Sequence, residues 1–126
     1  MSKAVVLRFN EEVLVKGNMQ VFEEIVSPSF TNHTAPAGTD KGKAGLLAFY
    51  HNVMKPAFPD MTIEIHEMFE EGDTVITRKT IRGTLGIPFM GFEAGKKVEM
   101  PTIDIVKIKN GQYVDHWAER HIQIAD

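Results

Sequence analysis

The stretch MTIEIHEMFEEGDTVITRKTIRGT (residues 61–84) decides the fold class, because the hydrophobic period of the chain changes at its first residue. Met61, Ile63 and Ile65 alternate with Thr62, Glu64 and His66, the two-residue repeat of a strand with one buried face. Glu71-Gly72-Asp73 marks a turn, and TVITRKTIRGT (74–84) is rich in the β-branched residues that suit a pleated surface.

Upstream of Met61 the period is helical. Val5, Val6, Phe9 and Val13 fall on one face of a first helix, and Met19, Phe22, Ile25 and Val26 outline a second that Pro28 stops. SFTNHT (29–34) reads as a short β segment, followed by the loop APAGTD (35–40). Asp40 is the predicted N-cap of a third helix with Leu46, Phe49, Tyr50, Val53 and Met54 on one face, ended by Pro56 and Pro59. Downstream, GIPFMGFEAG (86–95) is a long connection and KKVEMPTIDIVKIK (96–109) a strand. Asn110-Gly111 is a strong hairpin signal, leading into a final strand GQYVDHWAERHIQI (111–124). Helices first and strands afterwards predict one α+β domain over residues 1–126, its N-terminal helices packed in a strongly curved, mainly antiparallel sheet.

Bulk properties narrow the function classes. A net charge of −3 gives no basic face for nucleic acid, so no nucleic-acid partner is expected. Without cysteine there is no disulfide framework, thiolate nucleophile or Cys-ligated zinc. No run approaches the roughly 20 apolar residues needed to span a bilayer, and MSKAVVLRFNEEVLV lacks the form of a signal peptide. A cytoplasmic domain without a membrane partner is the expectation.

The final strand gathers the sole Trp and two of the five His. Strict alternation puts Tyr113, Asp115, Trp117, Glu119 and His121 on one face, and Val114, His116, Ala118 and Arg120 on the other. An aromatic wall beside a carboxylate in an apolar pocket raises that carboxylate's pKa and suits it to general-base work; the plainer reading is a strand with Trp117 in the core and its acids in water. Asp104 shares its parity with Met100, Thr102, Val106 and Ile108, so it either points into a cavity with a partner or is turned outward by a bulge after Pro101. Arg78 and Arg82 are in register and could balance inward carboxylates, and His33 is a candidate donor or base at a cavity mouth. No metal-site spacing, GxGxxG or phosphate-binding loop is present.

Taken together, AFPDMTIEI (57–65), EGDTVITRKTIRGT (71–84), FMG (89–91), GKKV (95–98) and NGQYVDHW (110–117) resemble the SnoaL-like polyketide cyclases, or ester cyclases, of the NTF2-like superfamily. The earlier TNHTAPAGTDKGKAGLLAFY (31–50) resembles that family's His-containing segment and aromatic-rich helix. The resemblance implies a cone-shaped α+β barrel, usually a homodimer formed through the sheet. It also implies closure of a polyketide ester ring by intramolecular aldol condensation, with no metal or organic cofactor. The family's acid/base Asp falls four residues after the Trp, where this chain has His121; Leu85 replaces a family His; and the Gly91–Gly95 connection is one residue shorter. His121, Asp104, Asp115 and His33 are therefore the expected catalytic set, in one pocket with Trp117, Arg78, Tyr50, Phe89 and Met100 as substrate contacts. The expected ligand is an apolar, carbonyl-containing small molecule. The alternatives are a non-catalytic pocket for a hydrophobic ligand and a dimeric interaction module.

Overall fold

Three strand pairings carry most of the domain, and the alternating stretch at Met61 lies in the first of them. A computed structural model describes residues 2–125 of the 126-residue chain. The first helix, α1, runs from Ser2–Arg8 into a wider π-helical segment, Phe9–Val15. After Gly17, helix α2 (Met19–Ile25) is capped by Asn18, whose side chain accepts from the backbone N–H groups of Gln20 and Val21. Strand β1 (Val26–Asn32) follows without a break. Helix α3 is continuous over Lys43–Phe49, Tyr50–Met54 and Lys55–Ala57, the middle segment again π-helical. The sheet then continues with β2 (Thr62–Glu71), β3 (Thr74–Thr84), β4 (Lys97–Lys109), β5 (Gln112–Arg120) and the short β6 (Gln123–Ile124).

The sheet order is β1-β5-β4-β3-β2, with β6 paired to the start of β4. All pairs are antiparallel except β1 with β5, which makes the sheet mixed. Asn110 and Gly111 have φ of 53° and 75°, the two positive values a tight hairpin between β4 and β5 requires. No helix occurs between residues 96 and 120. The α+β architecture read from the change of period is the one observed, with helices against the concave face of a curved sheet.

Several local expectations need correcting. Val26 belongs to β1 rather than to the second helix, and β1 starts before the predicted Ser29. The third helix is capped at Gly42; Asp40 instead accepts from the Gly42 N–H at 2.6 Å. Pro56 lies inside α3, just after the π-helical segment, instead of ending it. The last strand breaks at His121, so residues 123–124 form a separate element.

Two apolar clusters fill the concavity. One joins α1 and α2 to β1 and the far ends of β3–β5 through Val6, Phe22, Val75 and Tyr113. The other joins α3 to β3 and β4 through Tyr50, Phe58, Leu85 and Met100. A third contact is backbone on backbone: a Cβ at Gly45 of α3 would meet the Asp40 carbonyl oxygen at 1.9 Å. Loop 33–42 thus lies directly on the helix. Gly45→Ala is expected to cost about 1–3 kcal/mol through overpacking or to displace this loop. Urea denaturation of the variant measures it, and an unchanged midpoint would show that the contact gives way freely.

Candidate functional site

Residues one pair apart on neighbouring strands reach each other diagonally when their side chains are long, and that geometry builds the site. On the concave face, Thr77, Lys79 and Ile81 of β3 pair with Asp104, Thr102 and Met100 of β4. Asp104 and Thr102 in turn pair with Ala118 and Arg120 of β5, and Val106 with His116. Lys79 and His116 therefore flank Asp104 from opposite sides.

Asp104 retains only 7% of its exposure and Lys79 only 5%, so both charges need partners. Lys79 Nζ lies 2.7 Å from Asp104 Oδ2 and donates to Asn10 Oδ1 at 2.7 Å. His116 Nε2 is 2.9 Å from Asp104 Oδ1, and its Nδ1 is 3.2 Å from Asn32 Oδ1. The chain Asn10–Lys79–Asp104–His116–Asn32 thus crosses the cone from α1 to β1. Burial pushes the Asp104 carboxyl up, but the Lys79 ammonium and the hydrogen bond from His116 outweigh it, so its pKa is held well below the ordinary carboxylate range. Burial, reinforced by the Asp104 charge, pushes the Tyr113 phenol well above its usual value and keeps it protonated.

This network faces an inner chamber of about 100 Å³ lined also by Tyr50, Tyr113 and Val106. A wider mouth of about 360 Å³ abuts it, walled by Leu46, Phe49 and Val53 of α3 and by Ala35 and Pro36 of the loop. Asn32, His116, Ala118 and Arg120 line both spaces. His116 can therefore meet a molecule in the mouth while held from behind by a buried carboxylate. Hydrogen bonding through Nε2 fixes the ring and leaves Nδ1 turned toward Asn32 at the mouth. Among the described residues no group of three or more His, Cys, Asp or Glu is spaced to hold a metal.

The expected single pocket is divided by the sheet. Asp104 points inward, as its parity indicates, and Tyr50 lines the chamber. Trp117, Asp115 and His33 are brought together, but on the outer face: the His33 and Trp117 rings stack at 4.4 Å, and His33 Nε2 lies 2.7 Å from Asp115 Oδ1. His121 is exposed beyond the end of β5, in a separate groove lined by His66 and Arg78 and also by Lys79, Thr102 and Arg120, and it lines neither the mouth nor the chamber. Arg78 donates to Glu67 at 2.7 Å and balances no inward acid. Met100 is fully buried core, and Phe89 packs edge-on against Phe58 at 5.7 Å, so neither lines the cleft.

One residue causes the division. Lys107 pairs with Asp115 but Ile108 with Tyr113, which leaves Val114 as an extra residue in β5. This bulge keeps Tyr113 inward and exchanges the faces of everything after it. Sequence reasoning thereby missed His116 and Arg120, and no residue type at Val114 signals the bulge. Lys79 was missed differently: Val75 and Ile81 share its parity and mark that face as inward, a signal available in the sequence.

The buried pair has a stability consequence. Lys79→Met or Asp104→Leu alone leaves an uncompensated buried charge and should cost about 3–5 kcal/mol. The double variant should cost less than the sum of the two. Because the folded-state pKa of Asp104 is depressed, its contribution is complete above the ordinary carboxylate pKa, near 3.8, and is lost as pH falls toward the lower folded value. Denaturation midpoints followed from pH 7 downward should fall in the wild type below about pH 4 and fall less steeply in the double variant. Additive single costs would remove the coupling.

The geometry has counterparts among known proteins. A family model described as SnoaL-like polyketide cyclase matches residues 4–120. IdmH from Streptomyces antibioticus, described as a "putative polyketide cyclase", shares 26% identity and superposes with a TM-score of 0.81, over 95% of this chain and 91% of that one. A SnoaL-like polyketide cyclase from Agrobacterium tumefaciens shares the fold at 13% identity and TM-score 0.81, over 96% and 91%. AclR from Streptomyces galilaeus, described as a "putative hydroxylase", shares it at 22% identity and TM-score 0.78, over 95% and 88%. No curated protein matches the chain. With its family model spanning nearly the whole length and its cone of helices and sheet shared by these structures, the chain belongs to the SnoaL-like polyketide cyclase family.

Proposed function

We propose that the chain binds an apolar, carbonyl-containing small molecule in the concave cleft and moves a proton on it, with His116 as the proton carrier. The observation that supports this is the placement of His116, which lines both mouth and chamber and is anchored through Nε2 to buried Asp104. In this reading Asp104 orients the imidazole, while Lys79 keeps Asp104 ionised. The bound molecule displaces Asn32 from Nδ1, and that nitrogen of the neutral imidazole takes a proton from the carbon next to a carbonyl, so that the enolate forms. In a ring closure that carbon attacks a second carbonyl of the same molecule; a C–C bond forms and the proton returns to the new alkoxide. Consistent with the family resemblance, no metal or organic cofactor takes part. The cleft walls, Leu46, Phe49 and Val53, exclude water from the reacting carbon.

The test is exchange of the α-protons of a β-keto ester into D₂O, followed by NMR at neutral pH. His116→Gln is expected to slow protein-dependent exchange by about 10²–10⁴-fold, the usual span of a positioned general base. His121→Ala should leave it unchanged, since His121 lies outside the cleft. An unchanged rate in His116→Gln, or a loss in His121→Ala, would overturn the assignment.

A homodimer formed through the sheet is also proposed. Phe69, Ile76, Ile105 and Trp117 are successive cross-strand partners on β2 to β5, an apolar row on the outer face, with Phe69 59% and Ile76 40% exposed. Ile103 beside them is 48% exposed. Apolar rows of this kind are seldom left in water. Sedimentation at micromolar concentration should give a dimer that Ile76→Lys and Ile103→Lys dissociate; a monomeric wild type would exclude it.

A further inference from the structure

The chain has four arginines, and three of them are spent in ion pairs: Arg8 with Glu24, Arg78 with Glu67, and Arg82 with Glu64 and Glu99. Among the described residues Arg120 has no carboxylate within ion-pair distance and no hydrogen-bond partner. Its guanidinium carbon lies 5.4 Å from the centre of the Phe49 ring, a cation–π contact that holds it at the cleft. It lines the mouth and the inner chamber alike. We propose that the cleft takes an apolar ligand carrying a carboxylate, and that this carboxylate sits on the Arg120 guanidinium.

Charge and chemistry favour this occupant. The chamber holds two cations, Lys79 and Arg120, against one carboxylate, Asp104. Lys79 is buried and its charge is paired with Asp104, so Arg120 is the cation left to a ligand. The mouth also holds a carboxylate, Asp40, which is solvent-exposed and accepts from the Gly42 N–H at 2.6 Å. The guanidinium, on an exposed residue at the rim of the cleft, remains charged at any working pH. A planar guanidinium matches a carboxylate through two parallel N–H···O bonds. One available cation fits a monoanion better than a phosphate dianion. Phe49 against the guanidinium and Leu46 in the same cleft wall then receive the apolar body of the ligand.

The proposal rests on the cleft being the ligand site, as argued above, and not on proton transfer there. Its test compares naphthylacetate with naphthylacetamide, which has the same shape without the charge, by NMR titration of the backbone amides. The expected result has three parts. Both ligands shift the Gly45 and Ala118 signals, the acid binds the wild type at least about tenfold more tightly than the amide, a difference of about 1.4 kcal/mol, and Arg120→Gln erases that preference. Arg120→Lys should keep part of it. An unchanged amide affinity in Arg120→Gln would show that the cleft is still folded. Equal affinities in the wild type, or a preference that survives Arg120→Gln, would overturn the carboxylate site while leaving the cleft as a ligand site. Absence of shifts at Gly45 and Ala118 with both ligands would overturn the site and the cleft together.

Discussion

A carboxylate closed off from water has to be answered by charge, and Asp104 imposes that requirement on the rest of the cone. Two neighbours meet it from either side along the sheet, Lys79 at 2.7 Å and His116 at 2.9 Å. Each needs a partner of its own, which α1 supplies as Asn10 and β1 as Asn32. Asn10 is held in turn through its Nδ2, which donates to the Val6 carbonyl at 2.9 Å. Five side chains from five elements thereby become mutually dependent. Buried ion pairs of this kind seldom add net stability over an apolar core, because desolvation offsets the attraction. What they do achieve here is a fixed imidazole at the boundary between a closed chamber and an open mouth.

The sheet separates two groups of polar residues that alternation alone would merge. On the concave side stand Asp104, His116 and Arg120; on the convex side His33 stacks on Trp117 and pairs with Asp115. Asp104 is buried and His116 half-buried, with a cavity in front of them, while Arg120 is exposed at the rim. The convex group is half exposed and borders the apolar row that runs from Phe69 to Trp117. These environments suit different work: chemistry or selective binding inside, contact between surfaces outside.

Membership in the SnoaL-like polyketide cyclase family fixes the architecture and leaves the chemistry to be argued from the site. A structure described as a cyclase and another described as a hydroxylase superpose on this chain almost equally well, with TM-scores of 0.81 and 0.78. The cone is therefore a frame, and inward residues of β3, β4 and β5 set what it does. Here those residues form a Lys–Asp–His chain, with an Arg at its edge that has no ion-pair partner among the described residues.

The sequence by itself determined the elements. The shift from helical to alternating period at Met61 and the Asn110-Gly111 hairpin follow from local patterns, because side-chain period and turn conformation are properties of a few adjacent residues; for Asp104 parity left inward and outward both open, and regular pairing through Pro101 turns it inward. Lys79 was also legible, since Val75 and Ile81 flank it on the same face. The tertiary structure alone decided which face of β5 meets the cavity. One extra residue, Val114, reverses the strand's parity, and nothing local distinguishes a bulge there from regular pairing; packing of Tyr113 against Phe9 across the core selects it. Asn10 and Asn32 were beyond reach for a related reason. Their partners lie 69 and 84 residues away in sequence, and only the closed cone brings them within hydrogen-bond distance.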